Sequence, residues 1–274
     1  MPLENFVRAK QAELESLRDA HRKGDLGNVW SGERPSFSTA LRRRAGSAPL
    51  AIIAEYKRAS PSRGLICASL EVEDVAAQYA ANGASAISIL TEESFFDGSM
   101  DFLRRAARAE LYAGPRLPLL RKDFVFDRLQ IMHTATSPAS AVLLIVRLTP
   151  DPAFLRALRE EAEQFCLEAV VEVFDEKDLG LARQSGASII QVNARDLASL
   201  KVDRNSCLDL ARHNPPADGE TWIAASGICS PAHLQAAADA GFAAALVGSF
   251  LMENGLPGQA LAHLTGSCAA DGRI

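Results

Sequence analysis

Glu55 and Lys57 stand two positions apart at the close of the apolar run Ala51-Ile52-Ile53-Ala54. Side chains alternate across a strand, so a carboxylate and an ammonium at that spacing share one face. Ser60-Pro61-Ser62-Arg63-Gly64 follows at once and is made of turn formers. An acid and a base at the end of a buried strand, under a Ser/Gly loop, can hold an anion and move protons. The alternative is a salt bridge that plugs a barrel end. Similar polar groups recur along the chain: Thr91-Glu92-Glu93, Phe95-Phe96-Asp97-Gly98-Ser99, Arg121-Lys122-Asp123-Phe124, Arg147, Glu172, Asn193 with Arg195 and Asp196, Ser226-Gly227 and Gly248-Ser249.

Gathered in one water-poor mouth, Lys57, Lys122, Glu55 and Glu172 suit acid–base work. Neighbouring cations lower a lysine's pKa and burial raises a glutamate's, so a proton donor and an acceptor coexist near neutrality. A Schiff-base lysine is a second possibility that the residues leave open. The glycines of Ser226-Gly227 and Gly248-Ser249 expose backbone N–H groups to an approaching anion, and tight turns are their plainer use.

The elements that must position these groups follow a strand–helix rhythm from residue 49. Apolar strand candidates fall at 51–55, 86–90, 117–121, 141–146, 168–173, 188–192, 221–225 and 243–247. Helical segments lie between them, at 71–82, 100–109, 127–136, 151–164, 175–185, 204–213 and 231–240, with a last one near 257–265. Helix ends carry their signals: glycine at 83, 186 and 241, and Asp175 or Ser230-Pro231 at starts. Eight such units in about 225 residues are the arithmetic of a closed (β/α)8 TIM barrel. An open doubly wound sheet is the runner-up, but no G-x-G-x-x-G follows the first strand. Residues 3–23 carry a rough helical stripe (Leu3, Phe6, Val7, Ala9, Leu14, Leu17), and residues 24–48 include the basic cluster Arg42-Arg43-Arg44. The expected organisation is an N-terminal helical extension over 1–48, packed on a barrel end, and one barrel domain over 49–274. In such a barrel the strands' C-terminal ends form the active site, and the loops after strands seven and eight cradle phosphate.

Composition narrows the classes. The 274 residues are 48% hydrophobic and 23% charged, with a net charge of −5, which disfavours nucleic acid as a partner. Five scattered cysteines without a C-x-x-C pair read as reduced thiols of a cytoplasmic protein. No histidine spacing suggests a metal site, and no apolar run reaches the ~18 residues of a membrane span.

The stretches 52–62 (IIAEYKRASPS), 87–99 (ISILTEESFFDGS), 119–124 (LLRKDF), 142–146 (VLLIV), 192–197 (VNARDL), 225–228 (ASGI) and 246–249 (LVGS) together resemble the indole-3-glycerol phosphate synthase family, in order and at expected spacing from about residue 3 to 262. The resemblance implies closure of the indole ring of a carboxyphenylamino-deoxyribulose phosphate with loss of CO2 and water, a step of tryptophan biosynthesis without metal or organic cofactor. It implies Lys122 as general acid, Lys57 as a substrate-anion contact that shares the proton-donor role, and Glu172 as acid or base of the dehydration. Glu55 and Asn193 orient these groups, and Ser226 is counted with them among the catalytic residues. Ser226, Gly227, Gly248 and Ser249 hold the phosphate. Ser60, Phe96, Phe124, Arg195 and Leu197 contact the substrate, whose aryl ring Phe96, Phe124 and Leu197 enclose. The partner implied is thus a small phosphorylated aromatic molecule, with no membrane and a monomer or weak homo-oligomer. One departure stands out: the family's Glu-Ser-Gly after strand seven reads Ala225-Ser226-Gly227 here. That leaves two other readings: a diverged member with altered substrate or weak activity in specialised metabolism, and a catalytically silent barrel acting as a binding subunit.

Overall fold

The computed structural model describes residues 3–42, 46–67, 69–196 and 199–266. Arg43, Arg44 and Leu197 lie outside them. Eight parallel strands close on themselves in sequence order: β1 (Ala51–Tyr56), β2 (Ala86–Leu90), β3 (Leu119–Val125), β4 (Ala141–Ile145), β5 (Glu168–Val173), β6 (Ile189–Asn193), β7 (Thr221–Ala225) and β8 (Ala244–Val247). β1 pairs with both β2 and β8, so no edge is left and the open doubly wound alternative is excluded. The period-2 alternation sorts every strand into two cores. Odd positions of β1 such as Ala51 and Ile53 meet Leu143, Val170, Ile223 and Leu246 inside the barrel. The intervening residues, Ile52 and Ala54 among them, pack outward against the helices with Leu158, Leu179 and Trp222. Two buried faces explain why these strands are nearly continuous apolar runs.

The helices between strands begin and end where their capping residues stand. Asp175 accepts the backbone N–H of Asp178 and Ser230 that of His233. Gly186 ends its helix in the left-handed conformation (φ 82°), which costs a residue without Cβ nothing.

β3 departs from expectation. It runs from Leu119 through Val125, not 117–121, so Arg121, Lys122 and Asp123 lie within the strand. Pro118 has no N–H to give a ladder, which delays the start. Three charged residues in a central strand are tolerated because alternation divides them. Lys122 faces the barrel's mouth, while Arg121 and Asp123 face outward into a buried ionic network.

That network belongs to the N-terminal extension, which forms two helices instead of one: α1 (Leu3–Ala9) and α2 (Gln11–Lys23). They part at Lys10, whose ammonium lies 2.6 Å from both Glu13 and Asp123. Arg121, fully buried, bonds Asp123 at 2.9 Å, Glu13 at 3.1 Å, and the Thr134 hydroxyl at 2.8 Å. The extension serves both barrel ends. Phe6 of α1 stacks on Phe124 near the mouth (centroids 4.0 Å apart), and the short helix α3 (Phe37–Ala40) closes the bottom. There Phe37 is fully buried among the inward side chains, and Glu168, at the start of β5, accepts the N–H groups of Phe37 and Ser38. A carboxylate on free N–H groups at a helix start is the favourable arrangement.

Candidate active site

At the C-terminal ends of the strands lies a cavity of about 850 Å³, open to solvent. Into it the barrel brings Glu55, Lys57 and Ser60 from β1 and its loop, Phe96 from the loop after β2, Lys122 and Phe124 from β3, Glu172 from β5, Asn193 and Arg195 from β6 and its loop, and Ser226 and Ser249 from the last two loops. A second groove of about 1110 Å³ shares Glu55, Lys57, Arg195, Ser226 and Ser249 with it and adds Gly227, Gly248, Arg63 and Arg204. Every described residue to which the family resemblance gives a site role is therefore at this mouth. Arg147, grouped with them by its position after β4, is not. It pairs with Asp175 and Asp178, each at 2.7 Å, and lies over the Phe174 ring.

The β1 pair is a true contact: Lys57 donates to Glu55 at 2.9 Å, and Ser88 of β2 donates to the other carboxylate oxygen at 3.3 Å. Burial pushes the Glu55 carboxyl up. The charges of Lys57 and Lys122 outweigh burial and hold it below the ordinary value, so it is ionised. Gly248 makes this pair possible. A Cβ there would stand 2.4 Å from Glu55 Oε1 and 3.1 Å from Lys57 Nζ. Lys122 lines the same cavity, and among the described residues its ammonium takes part in no salt bridge or side-chain hydrogen bond, which leaves it for a bound molecule.

Opposite stands Glu172, 1% exposed. Its Oε2 accepts from Asn193 Nδ2 at 3.2 Å and from Gln191 Nε2. Asn193 is held in turn: its Oδ1 accepts from the Ser226 hydroxyl at 2.8 Å and from the Arg195 N–H at 2.9 Å. Ser226 reaches Asn193 from a left-handed backbone (φ 72°), a strained state for a residue with a Cβ and typical of functional turns. Gly227 continues that turn at φ 78°, where a Cβ would also stand 2.8 Å from Val202.

The groove side is cationic, with Lys57, Arg63, Arg195 and Arg204 set against Glu55 and Glu253. Burial, then the Arg63 charge, lowers the Arg195 pKa, while Glu55 works in the other direction. The apolar side is aromatic, with Phe124 between Phe6 and Phe96.

Sequence reasoning missed Phe6, Gln191, Arg63 and Arg204. Gln191 was within reach, since it stands two positions before Asn193 and the alternation that paired Glu55 with Lys57 puts both on the inner face. Phe6 and Arg204 come from a distant extension and from the helix after β6, and nothing local marks them.

Fold and site define a (β/α)8 barrel whose mouth sets buried ionisable groups beside a cationic groove. Solved structures alike in fold include a thiamine phosphate pyrophosphorylase from Pyrococcus furiosus (TM-score 0.60, 14% identity, 83% of this chain and 96% of that one). A mutant tryptophan synthase alpha-subunit from the same organism is similar (TM-score 0.60, 11% identity, 80% and 99%). At such identities they speak for the fold alone. The chain belongs to the indole-3-glycerol phosphate synthase family, decarboxylating lyases that close a ring. The family's model matches residues 3–264. The chain is 39% identical to the indole-3-glycerol phosphate synthase of Chloroherpeton thalassium over 91% of its length and 94% of the relative's. To that of Koribacter versatilis it is 40% identical over 84% and 85%.

Proposed function

We propose that the chain converts 1-(2-carboxyphenylamino)-1-deoxyribulose 5-phosphate to indole-3-glycerol phosphate, CO2 and water. The observation that carries the reading is the joining of an aromatic wall, an unengaged lysine, a buried glutamate and a cationic groove in one mouth. The substrate has the matching parts in the same order: an aryl ring, a ketone, hydroxyls and a phosphate.

The phosphate lies in the groove against Ser226, Gly227, Gly248 and Ser249, with Arg63 and Arg204 as counter-charges. The aryl ring packs on Phe96 and Phe124, with Phe6 behind Phe124. Lys122 gives a proton to the ketone oxygen as the ring carbon bearing the carboxylate attacks the ketone carbon. CO2 then leaves, and its bonding electrons restore the aromatic ring. Glu172 handles the proton of the dehydration, in which the new hydroxyl departs as water. Glu55 keeps Lys57 in place beside the substrate's anionic groups, and Asn193 and Ser226 orient Glu172. Ser60 and Arg195 line the rim. The two lysines share one cavity, and Lys57, held by Glu55, stands beside Lys122 as the second cation there.

The test is turnover of this substrate followed by indole fluorescence. A folded protein that binds the substrate and produces no indole product refutes the reading and leaves a silent barrel. Turnover of only a ring-substituted substrate favours a diverged member.

A further inference from the structure

Glu172 is buried, and among the described residues no cation stands within ion-pair distance of it. The charged groups lining its cavity are Glu55, Lys57, Glu92, Lys122, Asp123 and Arg195. Its direct partners are two amides of β6, and they differ. Asn193 is pinned: its Oδ1 is engaged by Ser226 and by the Arg195 N–H, so its Nδ2 alone can face Glu172. Gln191 is not pinned. It is fully buried and directly opposite Glu172 in the β5–β6 register, and its Nε2 donates to Glu172 while its Oε1 has no hydrogen-bond partner. A buried acceptor left idle is costly and calls for a reason.

We infer that Gln191 is a positioning residue that serves Glu172 in both of its protonation states. With Glu172 as carboxylate, Gln191 Nε2 donates to it, as in this structure. When Glu172 has taken a proton, its O–H needs an acceptor, and a half-turn of the Gln191 amide presents Oε1 at the same place. The proton itself comes from the substrate and returns to it; the amide only reverses its polarity. Asn193 meanwhile keeps the carboxyl aimed. A lysine or arginine at 191 would favour the carboxylate alone. The inference rests on the reading of Glu172 as the acid–base group of the dehydration.

The experiment compares the parent, Gln191→Met, Gln191→Lys, Glu172→Gln and the double variant Gln191→Met/Glu172→Gln. Gln191→Met fills the same space without polar atoms. It is expected to lower kcat roughly ten- to a hundredfold with KM little changed, and to lower it no further in the Glu172→Gln background. Gln191→Lys, a donor without an acceptor, stays low. Parental kcat in Gln191→Met, or an equal loss in both backgrounds, overturns the role. Parental kcat in Gln191→Lys overturns its two-sided part. A second measurement is independent of turnover. The side-chain amide NMR signals of Gln191, assigned by their absence in Gln191→Met, should move with pH in the parent and stay flat in Glu172→Gln. Flat signals in both overturn the proposal. A parent without turnover whose amide signals still move refutes the ring-closure reading instead.

Discussion

Lys10→Met tests how the extension is fastened to the strand that carries Lys122. Lys10 is 5% exposed and bridges Glu13 and Asp123 at 2.6 Å each. Methionine keeps most of the stem's volume, so the loss is electrostatic. Removing one partner of a buried ion pair costs ~3–5 kcal/mol. Asp123 retains Arg121 at 2.9 Å and the Thr91 hydroxyl at 2.6 Å, and Glu13 is partly exposed, which places the expectation near the lower end. A loss of about 3 kcal/mol corresponds to a fall in Tm of roughly 6–12 °C for a chain of this size. Circular-dichroism melts and urea unfolding measure it, and hydrogen exchange over residues 3–23 locates it. Because Phe6 of α1 backs Phe124, KM should rise as well. A variant that melts with the parent and protects 3–23 equally would show that apolar packing, not the ionic network, holds the extension.

Lys122→Met should lower kcat ~10²–10⁴-fold with an unchanged circular-dichroism spectrum; near-parental turnover removes Lys122 from the acid role. Gly248→Ala would put a Cβ 2.4 Å from Glu55 Oε1 and displace Glu55 from Lys57, so kcat/KM should fall, together with Tm because Glu55 is buried; unchanged kinetics would mean the Glu55–Lys57 contact is dispensable. Ala225→Glu adds a carboxylate next to Asn193 in the β6–β7 register. It should raise kcat if the alanine is a simple loss, whereas a folded variant with lower kcat marks the alanine as an adaptation to another substrate. Stability should decline in acid in two stages. Burial, reinforced by the Arg121 charge, lowers the His133 pKa to about 4, so its contribution is full above ~6.5 and is lost as pH falls from there toward 4. Against the opposing effect of burial, Arg121 and Lys10 hold the Asp123 carboxyl well below its ordinary value, so its contribution is full above ~3.9 and is lost only as pH falls further. Urea midpoints at pH 7, 5 and 4 follow the first stage, and His133→Leu should flatten it.

The barrel was legible because its signals are local. Continuous apolar runs, helix-ending glycines and acidic or serine caps each act within a few residues, and their recurrence fixes the number of units. The positions of Glu55, Lys57, Lys122, Glu172 and Asn193 were legible for the same reason, since strand alternation and chain direction send strand ends to one mouth. What each group touches was decided by tertiary structure. The charges of β3 read as a strand end because a lone charge in a central strand is unfavourable. Arg121 and Asp123 stay within it because they pair with each other and with Glu13 and Lys10, more than 100 residues earlier. Arg147 read as a mouth residue, and Asp175 and Asp178 of the next unit draw it away. The space Gly248 leaves for Glu55, and the amides of Gln191 and Asn193 on Glu172, depend on side chains meeting between strands. Sequence gives each strand its two faces; closure of the barrel decides which neighbour each face meets.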